Sequence, residues 1–346
     1  MSEPVEIISS FSERRTGSLR RKANRYWRQI VPTVLTDVCR NALEKLAATR
    51  LKSRSITKEE FVTDIKDAVV AHRGYAAAKI GISQKHWMYY EIFLSKEWDP
   101  AAIRHYEKEL RVHALNQEGI FPARCEFYRE FSRFYMNHVK NLDCLGLFYQ
   151  PATMEMELVR HYQLKNKLIY YVSQEPGRTD EQCYLPHFRD KKVLLICPFA
   201  DLLKNRATQE VFEGVWSKFG KKWFYPRQVD ALAFPYGFAK ETQEKFPTVL
   251  DLFDFILEKI GRKDFDVALI AAGGLSIPIA STIKNMGKIA IDLGGHLQIV
   301  FGVVGKRWRD RSDMKENYFN DYWVDMPAQY KPKETDLCAM PDAGYW

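Results

Sequence analysis

Residues 266–295 read DVALIAAGGLSIPIASTIKNMGKIAIDLGG. Two apolar β-type runs, each ending in a Gly-Gly pair, flank a segment of helical character from about Ser276 to Met286, and Gly287 stops it. Strand, turn, helix and strand in so short a span make a βαβ unit, whose crossover keeps the two strands parallel. Gly273-Gly274 and Gly294-Gly295 then emerge at the same carboxyl edge of the sheet, where open α/β sheets bind ligands.

Upstream, KLIYYV (167–172), KVLLICPF (192–199) and ALAFP (231–235) are further short apolar runs, and helix-like segments separate most of them. Thr248 can cap a helix in which Leu250, Phe253, Leu257 and Ile260 form one apolar stripe, with Gly261 at its end. The alternation predicts an α/β fold: a Rossmann-like, mostly parallel sheet with helices on both faces. The first half reads mainly as helix. Thr57-Lys58-Glu59-Glu60 is a capping box, followed by Phe61, Ile65 and Val69 at four-residue spacing. Phe127, Phe131, Phe134 and Tyr135 form an aromatic stripe of the kind that faces a core. The expected organisation is a helical N-terminal region (1–150), a Rossmann-like domain (151–330) and a tail (331–346), with the boundary around SQEPGRTDEQ, 173–182.

A chain of 346 residues, 46% hydrophobic and 28% charged, can bury a full core. Its formal charge of +8 favours acidic partners: nucleotide diphosphates, nucleic acid or an anionic membrane face. The basic stretch 14–28, which includes Tyr26 and Trp27, reads first as a solvated arm and second as a phosphate contact. Six scattered cysteines without a CxxC pair indicate neither a disulfide scaffold nor a structural metal, which fits a reducing cytoplasm. No run approaches the roughly 20 apolar residues that cross a bilayer, so the expected location is cytoplasmic, with peripheral membrane contact left open.

At the carboxyl edge the chemistry is that of a ligand site. Glycine permits close backbone approach, and amides opening the next helix can hold a phosphate. Asp292 can accept hydrogen bonds from a sugar hydroxyl, Gln298 offers an amide, and His296 is either a structural histidine or a catalyst. ICPFADLLKNRATQEVF brings Phe199 and Asn205 toward this edge, with Lys204 and Arg206 beside them. FGVVGKRWRDR supplies Lys306 and Arg307 next to Trp308, a set suited to a diphosphate over an aromatic platform.

FDVALIAAGGLSIPIASTIKNMGKIAIDLGGHLQIVFGVVGKRW (265–308) resembles the C-terminal half of bacterial proteins related to the GT-D-fold glycosyltransferases. The likeness is strongest over about 190–310 and extends more weakly to GIFP (119–122) and the closing AGYW. In that family an RxGDGE-like loop carries a DxE signature implicated in handling the nucleotide-sugar donor. The matching stretch here is KIGISQ (79–84), which keeps Lys79 and Gly81 but has Ile82 and Gln84 where the acids stand. Isoleucine offers no oxygen to a divalent cation, so the loop is not expected to need a metal, while Gln84 can still bond a sugar or base.

The resemblance implies a glycosyltransferase that uses a nucleoside-diphosphate sugar, with no tightly bound cofactor, and a glycan or lipid-linked acceptor in surface polysaccharide or glycan assembly. Asp292, His296 and Glu91 are the candidate proton acceptors. The alternative is a non-catalytic nucleotide- or glycan-binding module in a biosynthetic complex, which the altered KIGISQ loop favours. A different α/β transferase or reductase ranks below both because GxGxxG is missing. Nucleic-acid binding, resting on the basic arm alone, ranks last.

Overall fold

The computed structural model describes residues 33–96, 98–171 and 182–331. The basic stretch 14–28, residues 173–181 of the boundary segment and the closing AGYW lie outside the described residues.

Seven strands form one all-parallel sheet in the order β3-β2-β1-β7-β6-β4-β5. They are β1 (Tyr75–Lys79), β2 (Cys144–Leu147), β3 (Lys167–Tyr170), β4 (Lys192–Ile196), β5 (Gln228–Leu232), β6 (Val267–Ile270) and β7 (Ile289–Asp292). The five apolar runs of the second half are all strands. The first half, read as mainly helical, adds two more. β1 pairs directly with β7, Ala77 opposite Ile291, so the expected division near residue 150 runs through a shared sheet.

Side chains alternate across this sheet and fill a separate apolar cluster on each face. Val193, Leu195, Val267, Leu269, Ile289 and Ile291 point to one; Leu194, Ile196, Ala268, Ile270 and Ala290 point to the other. The second face carries small residues where the helix Ser276–Asn285 settles: Ala76, Ala78, Ala268 and Ala290. That helix comes so close that a Cβ on Gly74 would stand 2.3 Å from the carbonyl oxygen of Lys284. Alanine in β1 is therefore a packing choice, made by the helix above it.

A right-handed crossover stepping toward β3 and one stepping toward β5 cover opposite faces of the sheet. The helices sort accordingly. Gln84–Leu94, Cys125–Asn141, Ala152–His161, Val249–Gly261 and Ser276–Asn285 join one cluster, while Ala200–Arg206 and Gln209–Val215 join the other. The helix Lys58–Val70 covers this second side too, and its Thr57-Glu60 capping box is formed in both directions. In Val249–Gly261 the buried face is Val249, Leu252, Phe253, Ile256 and Ile260; Leu250 and Leu257 lie at its margin. The expected stripe is thus rotated, because that five-residue set gives the broader apolar face. Among the described residues no helix is long and apolar enough to cross a membrane.

Candidate functional site

At the carboxyl edge the chain leaves β1 and β6 toward one face of the sheet, and β7 and β4 toward the other. Diverging connections leave a crevice above the strand ends. Here it is a cavity of about 580 Å³, within the roughly 300–1,000 Å³ usual for small-molecule sites. Lys79, Gly81, Gln84, Phe199, Gly273, Asp292, Gly294, Gly295, His296, Lys306 and Arg307 all line it. Residues 79 and 307 are far apart in sequence; parallel pairing of β1 with β7 brings their segments together.

The KIGISQ loop follows β1 and is built around Gln84. Its Oε1 accepts from the Gly81 N–H at 2.8 Å and the Tyr135 hydroxyl at 2.9 Å. Its Nε2 donates to Glu118 Oε2 and to the Gly273 carbonyl, each at 3.3 Å. All four hydrogen-bonding positions of the amide are engaged within the protein. Gln84 therefore fastens the loop rather than meeting a sugar or base through its amide, and with Ile82 beside it the loop gives a cation no fitting ligand set. Among the described residues no three His, Cys, Asp or Glu side chains gather as a metal site.

Lys79, at the end of β1, donates from Nζ to the Leu293 carbonyl at 2.9 Å, and its ammonium lies 5.9 Å from the Tyr171 ring. Tyr171 stacks on Phe148 with centroids 3.8 Å apart, giving the cleft a flat aromatic wall. Asp292, at the end of β7, is 3% exposed, and its Oδ1 accepts the Gly294 N–H at 3.0 Å. Burial pushes its carboxyl group up; the Lys79 charge, Ser276 and backbone N–H groups offset part of that.

A second carboxylate faces the cleft that the sequence reading passed over. Glu118 follows one π-helical turn, Val112–Gln117. Ser83 donates to its Oε1 and Gln84 to its Oε2. Its own carbonyl accepts the Gly274 N–H at 3.2 Å. Burial raises its pKa, the bonds from Ser83 and Gln84 oppose the rise, and the charge of Asp292 adds to it. In the sequence Glu118 is one acid in NQEGIFP, with only the following glycine to mark it.

Five expected site residues lie outside the cavity wall. Glu91 sits two turns along its helix and pairs with Arg133 at 2.6 Å. Asn205 is exposed at the far end of Ala200–Arg206, roughly 8 Å beyond the helix start at 1.5 Å per residue. Its neighbours are spent elsewhere: Lys204 binds Asp230 at 2.9 Å, and Arg206 donates to the carbonyls of Phe301 and Tyr322. Gly274 is buried, and a Cβ there would stand 2.4 Å from Ile120 Cδ1, so its glycine serves packing. Gln298 is fully buried and donates to Val303 O at 3.2 Å. Trp308 is a core residue, edge-on to His296 at 6.1 Å, with the Arg307 guanidinium 5.4 Å from its ring centre. The expected aromatic platform beneath the cations is thus an internal prop.

Comparison of the chain with protein families, curated proteins and solved structures found no match. The functional reading rests on the cleft.

Proposed function

We propose that the cleft binds a nucleoside-diphosphate sugar and transfers the sugar to an acceptor hydroxyl of a glycan or lipid-linked glycan. One observation carries this reading: Lys79, Lys306 and Arg307 line the same cavity as the strand-end glycines and two carboxylates, Asp292 and Glu118. Such transfer needs charge neutralised on a leaving diphosphate and a proton removed from the acceptor. Cations meet the first demand, and a carboxylate of raised pKa is suited to the second. The aromatic wall of Phe148 and Tyr171 offers a stacking surface for a base or sugar ring.

In the reaction the bond between the anomeric carbon and the phosphate oxygen breaks, and its electron pair leaves with the nucleoside diphosphate. The acceptor oxygen bonds to the anomeric carbon. Lys306 and Arg307 hold the diphosphate from the solvent side, and Lys79 holds it from the sheet.

The test is a panel of UDP-, GDP-, CMP- and dTDP-sugars, screened by thermal shift and calorimetry, with released nucleotide assayed and a chelator arm included. A ligand at 100 times its Kd adds about 2.7 kcal/mol to stability. Binding with nucleotide release that persists in chelator supports the reading. Binding without release under any acceptor condition makes the protein a non-catalytic module, and no binding across the panel overturns the assignment.

A further inference from the structure

We propose that Glu118 is the group that takes the proton of the acceptor hydroxyl, an inference that rests on reading the cleft as a sugar-transfer site. Three strand-end segments fix this one residue in the cavity wall. Ser83 and Gln84, after β1, bond both of its oxygens. Gly273 and Gly274, after β6, close on its main chain: the Gly274 N–H donates to Glu118 O, and a Cβ on Gly273 would stand 3.1 Å from that oxygen. Gly119 holds φ at +72°, and Gly237, after β5, packs directly on it. Glu118 lines the cavity with both of its oxygens held by hydrogen bonds, and a carboxylate so held has the rigidity that proton transfer at a fixed point requires.

The other acids and the imidazole are less suited. Asp292 is nearly fully buried, with the Gly294 N–H on one oxygen and the Lys79 ammonium favouring its charge. Glu91 is outside the cavity, on Arg133. His296 leans on Trp308. Glu118 is held by neutral donors, a hydroxyl and an amide, which leave a carboxylate more basic than an ammonium does. Of the two neighbouring carboxylates, Glu118 is the one whose bonded side-chain partners are neutral, which suits it to accept a proton.

As the acceptor oxygen bonds to the anomeric carbon, its proton passes to Glu118 and the bond to the diphosphate breaks. The protonated carboxyl then releases the proton to solvent. Titratable groups that share the cavity with Glu118 include Asp292, His296, Lys79, His113, Lys306, Arg307 and Asp310, and the charge of Asp292 adds to the rise in its pKa.

The experiment compares wild type, Glu118→Gln and Ser83→Ala, each checked by thermal melting, for nucleotide-sugar binding by calorimetry and for turnover from pH 4 to 9. Glu118→Gln is expected to bind the donor as wild type does while kcat falls at least about 100-fold, and the acidic limb of its pH profile disappears. Ser83→Ala removes a bond that favours the charged carboxylate, so the acidic limb moves to higher pH. Wild-type turnover and pH profile in Glu118→Gln overturn the assignment and leave the sugar-transfer reading standing. An unmoved limb in Ser83→Ala does the same and decides the matter if Glu118→Gln fails to fold. Failure of wild type itself to bind any nucleotide sugar removes the underlying reading and this inference with it.

Discussion

Gly237 packs backbone against backbone on Gly119: a Cβ at 237 would stand 2.2 Å from the Gly119 carbonyl oxygen, and Gly119 holds φ at +72°. This contact ties the loop after β5 to the residue following Glu118. Gly237→Ala is expected to cost about 1–3 kcal/mol, the usual range for overpacking. Gly261→Ala is the control, since nothing lies within 4 Å of a Cβ there. Urea denaturation of both variants checks the contrast.

The cations make a separate prediction. Lys306 and Arg307 are exposed on the cavity rim. Replacing either with alanine is expected to weaken nucleotide-diphosphate binding roughly tenfold, about 1.4 kcal/mol, with little change in melting temperature. Because exposed charges are screened by salt, the affinity difference narrows as ionic strength rises, which calorimetry at two salt concentrations reads out.

Behind the aromatic wall lies a fully buried ion pair. Lys85 Nζ stands 2.5 Å from Glu155 Oε1, neither side chain is exposed, and Glu155 also accepts the N–H groups of Phe148 and Tyr149. Lys85→Met leaves that carboxylate buried without its cation. The expected cost is about 3–5 kcal/mol, measured as a shift in urea midpoint.

Asp230 on the edge strand β5 predicts an acid-dependent loss of stability. Burial opposes ionisation, but hydrogen bonds from Lys263 and Lys204 outweigh it and hold its pKa at about 2. A depressed acid stabilises the fold above its unfolded value of 3.8, and that stability goes as pH falls toward about 2. Solvent screens the pairs, so the contribution is about 1 kcal/mol. Wild type and Asp230→Asn are therefore expected to differ at pH 6 and to converge near pH 2 in denaturant titrations.

Asp292 predicts the opposite slope. Burial raises its pKa, so its contribution is fully present below the unfolded value and is lost as pH rises through the folded one. Asp292→Asn lacks that loss. Relative to wild type the variant is expected to gain stability between pH 4 and pH 7, and a constant difference across that range contradicts the assigned burial cost.

Much of this site is legible in the one-dimensional sequence, and the exceptions have physical reasons. Residues 266–295 specify a βαβ unit through apolar runs, a helical segment and glycine punctuation, and the structure has that unit. Asp292, Gly294 and Gly295 follow from it directly. β1, YAAAK, is rich in alanine, the best helix former, so its strand character does not register in the sequence. Its alanines are in fact what lets Ser276–Asn285 sit close to the sheet. β2 is four residues with an internal glycine, too short for any period to register.

The sequence by itself determined the parallel α/β class and the carboxyl-edge position of the glycine pairs, because periodicity and crossover handedness are local properties of the chain. Tertiary structure alone decided which side chains share a cavity. Strand order places β1 beside β7, and with it Lys79 beside Asp292. The same packing seals Gln84 within the protein, buries Trp308 and brings Glu118 to the cleft. These outcomes depend on contacts between residues as many as 214 positions apart, which no local pattern encodes.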